Sequence, residues 1–421
     1  MKVLWFSSSP SNASLEFGYT HLGRGWISAL ETIISESAEY QLAICSIYKG
    51  NKFKKLEKNN VVYYGIPTKK LNGFQRIVNR QFAKLDDEFE SEYYDEILRD
   101  FSPDVIHVFG TENGFGKVLV SKFDKVIFHL QGLAAPYYGV YFPQKVSKMK
   151  VLFYDNLNNI VRGLTFYHSY KSFGKIAQRE NFLATEWKYF SGRTDYDRNY
   201  IKLINPKVQY FHCEELLRPD FFLTAWKGVE INYKKTVIHI GTTINPNIYK
   251  GLDLIYKTLP LLSDYKIIWN VYGFSEEDKL NKVVKKCMKI KKSGKLMVFH
   301  GPLPASDLIN ELKKCHFFVH PSYIDNSPNS VCEAMLLGMP VIASSVGGMK
   351  TLINNEVNGF LFNPQDKYDL AGLIVYLINN YDLAISAGKR ARETAQKRHN
   401  STEIFGVISK MYKAVIDDVN N

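Results

Sequence analysis

The stretch HPSYIDNSPNSVCEAMLLGMPVIAS, His320 to Ser344, holds a strand, a helix and the start of a second strand. The first strand is the apolar run CHFFVHPS, ending at Pro321 and Ser322. Ser327 before Pro328 reads as an N-cap with Pro at the first helical position. The helix runs through NSVCEAMLL and is stopped by Gly338, with Pro340 beyond it. PVIASS then begins the next strand. Strands that are apolar throughout, alternating with helices, indicate a parallel sheet covered on both faces.

The same alternation extends in both directions. Upstream, KVLWFS, YQLAICSI, VVYYGI, DVIHVFG, KVIFHLQ and VQYFHC read as strands. Downstream of Thr236, TVIHIG, YKIIWNVYG, LMVFHG and GFLFN join the two strands already quoted. Helical periodicity covers 26–37, 251–262, 276–290, 305–314 and 329–337. Residues 214–235 break the rhythm, and a fresh apolar strand follows. The expected organisation is an amino-terminal domain over 1–215, a linker over 216–235 and a carboxyl-terminal domain over 236–395. A final helix over 396–421 is expected to pack back on the first domain. Each domain is α/β and doubly wound, so ligands bind beyond the carboxyl ends of its strands.

The chain has 421 residues, 45% of them apolar and 23% charged, which suits two globular cores. Its opening apolar run is too short for a signal peptide, and no stretch nears the roughly 18 apolar residues of a membrane span. Five cysteines, at 45, 213, 287, 315 and 332, lack metal-ligand spacing and read as free thiols in a reducing cytoplasm. The net charge of +12 is spread over both halves and favours anionic ligands or an anionic membrane surface. Nucleic acid is not expected, because no zinc-finger spacing, RNP-like strand or base-reading basic helix is present. Between 141 and 190 eight Lys/Arg face three Asp/Glu among many aromatics. That insertion reads either as helices covering the first sheet or as a face for an amphipathic acceptor or anionic headgroups.

The chemistry concentrates around the quoted stretch. Asn329, Ser330 and Val331 fall in the first helical turn, where N–H groups lack partners and the helix dipole favours an anion. Glu333, one turn on, leans back toward the helix start and suits a vicinal diol such as a ribose. Asp325 faces another part of the same ligand from the preceding loop. VIHIGTTINPNIYKGLDL supplies Gly241 for close backbone approach and Lys250 as a point charge for a phosphate. Its Lys-before-Gly order excludes a P-loop. Gly23 and Gly25, on either side of Arg24, form a Gly-rich loop bordering the ligand from the first domain.

Asp325 and Glu333, with seven residues between them and Glu333 opening EAMLLGMPVIASSVGGMKTLINNEVNGFLFNPQD, resemble the retaining glycosyltransferases of family 4. The resemblance is strong over 236–395 and looser over 1–215. It implies the GT-B fold, two Rossmann-like domains facing a central cleft. It implies that Glu333 holds the donor ribose and Asp325 the hydroxyls of the transferred sugar. Lys250 and the backbone at Ser327, Asn329 and Ser330 would hold the diphosphate. His300, Gly301 and Leu303 would lie near the base. Three positions depart from the family: Asp325 replaces the usual Glu, Asn326 to Ser330 replace Gly-Phe-Gly, and Thr242 replaces an Arg. The family's donor-facing residue at the end of a first-domain strand corresponds to Gln131 or to His129. Glu112 and Arg193 are acceptor-side candidates.

The expected activity is sugar transfer, with retention, from a nucleotide-diphosphate sugar to a hydroxyl. UDP is favoured over GDP, and the acceptor is a saccharide or lipid-linked saccharide of surface polysaccharide synthesis. No cofactor or metal is expected, and the location is cytoplasmic or peripheral on the inner face of the membrane. A sugar-nucleotide epimerase on the same fold, or a non-catalytic nucleotide-sugar sensor, is the alternative.

Overall fold

The structure is a computed structural model that describes residues 1–19, 25–85, 91–144, 146–231, 237–290 and 296–420. The chain forms two compact units. The first comprises Met1–Ala135, Lys171–Arg218 and His399–Asn421, and the second Pro136–Tyr170 and Pro219–Arg398.

The first unit is built on eight strands: β1 Lys2–Ser7, β2 Gln41–Tyr48, β3 Lys54–Lys58, β4 Val61–Pro67, β5 Val105–Phe109, β6 Val126–His129, β7 Tyr189–Gly192 and β8 Gln209–His212. They lie in the order β3-β4-β2-β1-β5-β6-β7-β8. All pairs are parallel except the edge pair β3–β4. Side chains alternate between faces along a strand. Val3 and Trp5 of β1 therefore enter one apolar cluster, and Leu4 and Phe6 the other. The terminal helix Ser401–Asn420 covers the first of these faces with Ile404, Ile408, Met411, Tyr412 and Val415, a stripe at helical spacing. Trp5 Nε1 donates to the Tyr412 hydroxyl at 3.0 Å, and His107 Nδ1 lies 2.9 Å from the same oxygen. β3 and β7 escaped the sequence reading. KKLEK is a mostly charged edge strand, and YFSG is four residues of ambiguous periodicity.

The second unit carries β9 Ile238–Thr243, β10 Ile267–Tyr272, β11 Met297–Phe299, β12 Phe317–His320, β13 Val341–Ser344 and β14 Phe360–Phe362. The order β11-β10-β9-β12-β13-β14 is wholly parallel. Strand order reverses between β9 and β12, so the loops leaving those two strands diverge around a crevice at the carboxyl edge. The helix Asn329–Leu337 ends at Gly338, whose φ of +83° is the left-handed conformation that glycine adopts without strain. Arg392 further caps this end by donating to the carbonyls of Leu336, Thr224 and Phe222.

Residues 136–170, assigned from sequence to the amino-terminal domain, belong to the second unit. Lys279 explains part of this docking: it donates to the Leu164 carbonyl at 2.6 Å and lies 4.3 Å from the Phe166 ring. Lys286 likewise donates to the Tyr154 carbonyl at 2.8 Å.

Candidate active site

The loops leaving β9 and β12 are joined by their backbones. Ile248–Lys250 forms a single turn that ends at Gly251, with φ +80°. A Cβ on Gly251 would lie 2.0 Å from the Pro321 carbonyl oxygen, so glycine is required for the close approach. Tyr323 N–H donates to the Tyr249 carbonyl at 2.8 Å, a second tie between the loops.

This junction brings Lys250 to Asp325, with Nζ 2.6 Å from Oδ2. His320 Nε2 lies 2.8 Å from the same oxygen, and the Tyr137 hydroxyl donates to Oδ1 at 3.0 Å. A carboxylate only accepts, so His320 carries its proton on Nε2. Its Nδ1 is buried and has no hydrogen-bond partner among the described residues. Burial by itself would raise the Asp325 carboxyl, but Lys250 and His320 outweigh it and hold the group well below the usual carboxylate range. Burial lowers His320 below its ordinary value and Lys250 adds to this, against the pull of Asp325. Two carboxylate oxygens offer about four acceptor positions. Three are taken here, and Asp325 retains capacity for one further hydroxyl.

Asp325 also anchors the loop after β13. Its carbonyl accepts from Gly348 N–H at 3.1 Å, and a Cβ on Gly347 would lie 1.9 Å from it. The sequence assigns no site role to His320 or Tyr137. His320 appeared there only as a strand residue, although its spacing of five from Asp325 was visible. Tyr137 is remote in the chain and carried no local signal.

The helix Asn329–Leu337 begins as read, but its cap differs. Pro328 is the N-cap residue and no side chain caps the helix. The Ser327 hydroxyl instead lies 3.9 Å from Cys332 Sγ. Val331 N–H is engaged by the Pro328 carbonyl at 3.0 Å, and the N–H groups of Asn329 and Ser330 meet no backbone acceptor among the described residues. Glu333 is buried on the following turn.

Two of the proposed donor residues are turned into the core. Gly241 lies within β9, where a Cβ would meet Leu312 Cδ2 at 3.1 Å and Cys315 Sγ at 3.2 Å. Its small size serves packing rather than ligand approach. The Thr242 hydroxyl donates to the Val319 carbonyl at 2.9 Å and accepts from Trp269 Nε1 at 2.8 Å, so it is occupied inside the sheet. The loop after β11 does reach the carboxyl edge. His300 Nε2 donates to Asn270 Oδ1 at 2.9 Å, and its ring stacks on Tyr272 at 4.7 Å. Gly301 has φ +72° with open space at its Cβ position, and Leu303 is half-buried.

In the first unit the structure separates Gln131 from His129. His129 is buried among Trp26, His107 and Phe109, at centroid distances of 4.9, 5.4 and 5.8 Å. Neither of its ring nitrogens has a hydrogen-bond partner among the described residues, and burial first, then His107 and Arg193, push its pKa far down. It is a neutral core histidine. Gln131 lies beyond the end of β6, with a buried side-chain NH2 that meets no acceptor among the described residues. Arg193 is buried and donates to the Gln131 carbonyl, with Nε 3.8 Å from Glu215 Oε2. It supports the Gln131 loop and offers no open face to an acceptor. Glu112 is exposed just after β5, and Arg179 donates to its carbonyl. Gly25 is the N-cap residue of the helix Trp26–Glu36, whereas Gly23 lies outside the described residues.

Residues 228–394, which include the Lys250–Asp325–His320 cluster and Glu333, match the family model described as Glycosyl transferases group 1. Sulfoquinovosyl transferase SQD2 of Arabidopsis thaliana is 29% identical over 186 residues, 44% of this chain and 34% of that protein. N,N'-diacetylbacillosaminyl-diphospho-undecaprenol alpha-1,3-N-acetylgalactosaminyltransferase of Campylobacter jejuni is 26% identical over 194 residues, 46% of this chain and 48% of that protein. The chain thus matches between a third and a half of the length of these relatives. Among solved structures, sucrose-phosphate synthase from Thermosynechococcus elongatus matches with a TM-score of 0.73 at 16% identity, over 99% of this chain and 100% of that one. Anabaena HepE in complex with UDP and glucose matches with a TM-score of 0.61 at 14% identity, over 98% and 99%. At such identities the structural likeness is one of fold. The chain has a GT-B fold, and the match to the family model Glycosyl transferases group 1 covers residues 228–394, within its second unit.

Proposed function

We propose that this chain is a retaining glycosyltransferase that moves a sugar from a nucleotide-diphosphate sugar, a UDP-sugar by preference, to a hydroxyl of a saccharide or lipid-linked saccharide. The observation that carries the reading is the Lys250–Asp325–His320 cluster at the point where strand order reverses in the second sheet. Beside it in sequence stand the open N–H groups of Asn329 and Ser330, which suit a diphosphate, and Glu333, which suits a ribose diol. Asp325, ionised and already oriented by three donors, accepts from a hydroxyl of the transferred sugar. Catalysis then consists of stabilising the departing diphosphate and aligning the acceptor on the same face of the donor. Gln131 is the first unit's candidate for a catalytic role, with a buried side-chain NH2 that meets no acceptor among the described residues. The reading requires no metal.

Names of similar proteins support the substrate class: the Campylobacter relative acts on a diphospho-undecaprenol-linked sugar, and HepE binds UDP. A peripheral position on the cytoplasmic face of a membrane is supported by the segment 148–162. Met149, Phe153, Leu157 and Val161 are exposed there at intervals of four, beside exposed Lys148, Lys150 and Arg162. Its only acid, Asp155, is buried and accepts from Asn156 N–H and from Asn159 Nδ2 at 2.6 Å. No single helix among the described residues is long and apolar enough to cross a membrane. The test is nucleotide release from UDP- and GDP-sugars with and without a lipid-linked saccharide. Acceptor-dependent UDP release is expected, and nucleotide-sugar binding without turnover across acceptors would overturn the reading.

A further inference from the structure

Two consecutive residues of the helix Phe166–Glu186 hold the loops that leave β5 and β6 at the carboxyl edge of the first sheet. Glu180 is 1% exposed, and its carboxylate takes four donors. Its Oε2 accepts from the Thr111 hydroxyl at 2.7 Å and from Ala134 N–H at 3.0 Å. Its Oε1 accepts from Ala135 N–H at 3.3 Å and from the Tyr200 hydroxyl at 3.2 Å. Thr111 is the second residue after β5, and Ala134 and Ala135 open the helix that follows β6. Arg179, the residue before Glu180, donates to the Glu112 carbonyl.

A buried carboxylate is costly to hold, and burial raises the Glu180 carboxyl above its ordinary value against the pull of these donors. An apolar side chain of similar volume would fill the place more cheaply. What the carboxylate supplies in return is a joint, because Oε2 accepts from both loops at once.

The loop after β6 carries Gln131, and its main chain is tied on both sides of that residue. Leu130 N–H donates to the Ser191 carbonyl at 2.8 Å, and Arg193 donates to the Gln131 carbonyl. Glu180 then takes the N–H groups of Ala134 and Ala135. With the backbone held at these four residues, the root of the Gln131 side chain is fixed.

We propose that Glu180 is a positioning residue for sugar transfer: it locks the loop after β6 to the loop after β5 and so sets the place of the Gln131 amide. The proposal rests on the glycosyltransferase reading above and adds a residue that acts through Gln131 rather than on a substrate.

The test is a double-mutant cycle on nucleotide release from UDP- and GDP-sugars with a lipid-linked saccharide acceptor. Glu180→Gln keeps the volume but turns an NH2 toward part of the donor set. It is expected to lower kcat about 10- to 100-fold and to leave the nucleotide-sugar KM within twofold. In a Gln131→Leu background the same change is expected to lower kcat less than twofold further, because the side chain that Glu180 places is gone. Amide hydrogen exchange, read without substrate, is expected to quicken in Glu180→Gln at 110–112 and 130–135. Thr111→Val removes one donor without changing volume, is expected to lower kcat about fivefold, and serves if Glu180→Gln does not fold.

A kcat within twofold of wild type in Glu180→Gln, or a double-variant loss equal to the product of the two single losses, would overturn the proposal alone. So would a loss confined to KM or to Tm. Wild-type kcat in Gln131→Leu would overturn the Gln131 reading and this proposal together. An absence of turnover from every nucleotide sugar would overturn the glycosyltransferase reading and, with it, the role given to Glu180.

Discussion

Replacing Lys250 by Met exposes how the charge on Asp325 is maintained. The two groups are 2.6 Å apart, with side chains only 12% and 7% exposed. Removing one partner from so buried a pair costs about 3–5 kcal/mol, because the remaining charge is stranded. Here a second cation is available on demand, since His320 touches the same carboxylate oxygen at 2.8 Å. In the wild type burial and Lys250 hold the folded-state pKa of His320 below 6.5. The unfolded state therefore takes up the proton first, and stability present above pH 6.5 declines as pH falls. Without Lys250 only burial still opposes the two raising effects of Asp325 on His320, and we expect the folded pKa to move above the ordinary value. The sign then reverses: the His320 contribution is full below its unfolded pKa and is lost as pH rises through the raised folded value.

Each unit of upward shift restores about 1.4 kcal/mol. The expected penalty is about 4 kcal/mol near pH 8 and about 2–3 kcal/mol near pH 6. For a unit of this size that is a fall in Tm of roughly 8–16 °C at the higher pH and about 4–12 °C at the lower. Thermal unfolding followed by circular dichroism at both pH values, with NMR titration of the His320 ring, measures both effects. A loss at pH 6 equal to or larger than that at pH 8, or an unmoved His320 resonance, would refute the reasoning.

Glu333→Ala should weaken UDP binding by about 10–100-fold, the effect of losing a charge-assisted pair of hydrogen bonds; a calorimetric titration with wild-type affinity would remove it from the ribose site. Gln131→Leu should lower kcat about 100-fold with little change in Tm, because an unmet buried amide is replaced by an apolar group of similar size. A fall in Tm without a fall in kcat would make Gln131 structural. Thr242→Val should cost about 1–3 kcal/mol by stranding the Trp269 N–H, and should leave UDP affinity unchanged. Lost UDP affinity at unchanged Tm would return Thr242 to the donor site.

The helix at 329–337 and its strands were legible because their cues are local: an apolar run, a Pro at the start, a Gly at the stop. The spacing of Asp325 and Glu333 was legible for the same reason. What sequence could not supply was direction within the sheet. Thr242 and Gly241 stand near a strand end, yet the pleat turns Thr242 toward Trp269 and Gly241 toward Leu312. Likewise two positions separate a core His129, the last residue of β6, from Gln131 just beyond the strand's end. The partners of Asp325 were hidden differently. Lys250 and Tyr137 lie 75 and 188 residues away, and only the reversal of strand order and the docking of 136–170 bring them together. The edge strand Lys54–Lys58 was missed because its charged, exposed positions dilute the apolar pattern.

The bond from Trp5 to Tyr412 spans 407 residues and has a consequence for biosynthesis. β1 is synthesised before its covering helix Ser401–Asn420, and most of the second unit, which ends at Arg398, is synthesised between them. The later-made unit can therefore mature while the earlier one still waits, with the face that holds Trp5, Leu42 and Val61 covered in part by the helix Trp26–Glu36 and not yet by the terminal one. Chains truncated after Arg398 should accordingly be cut by protease in the first unit and resist it in the second. Equal protection of both would show that the face closes without its final helix. The interval between the first strand and the last helix is the period in which this protein is most exposed to aggregation and most dependent on whatever chaperone meets it.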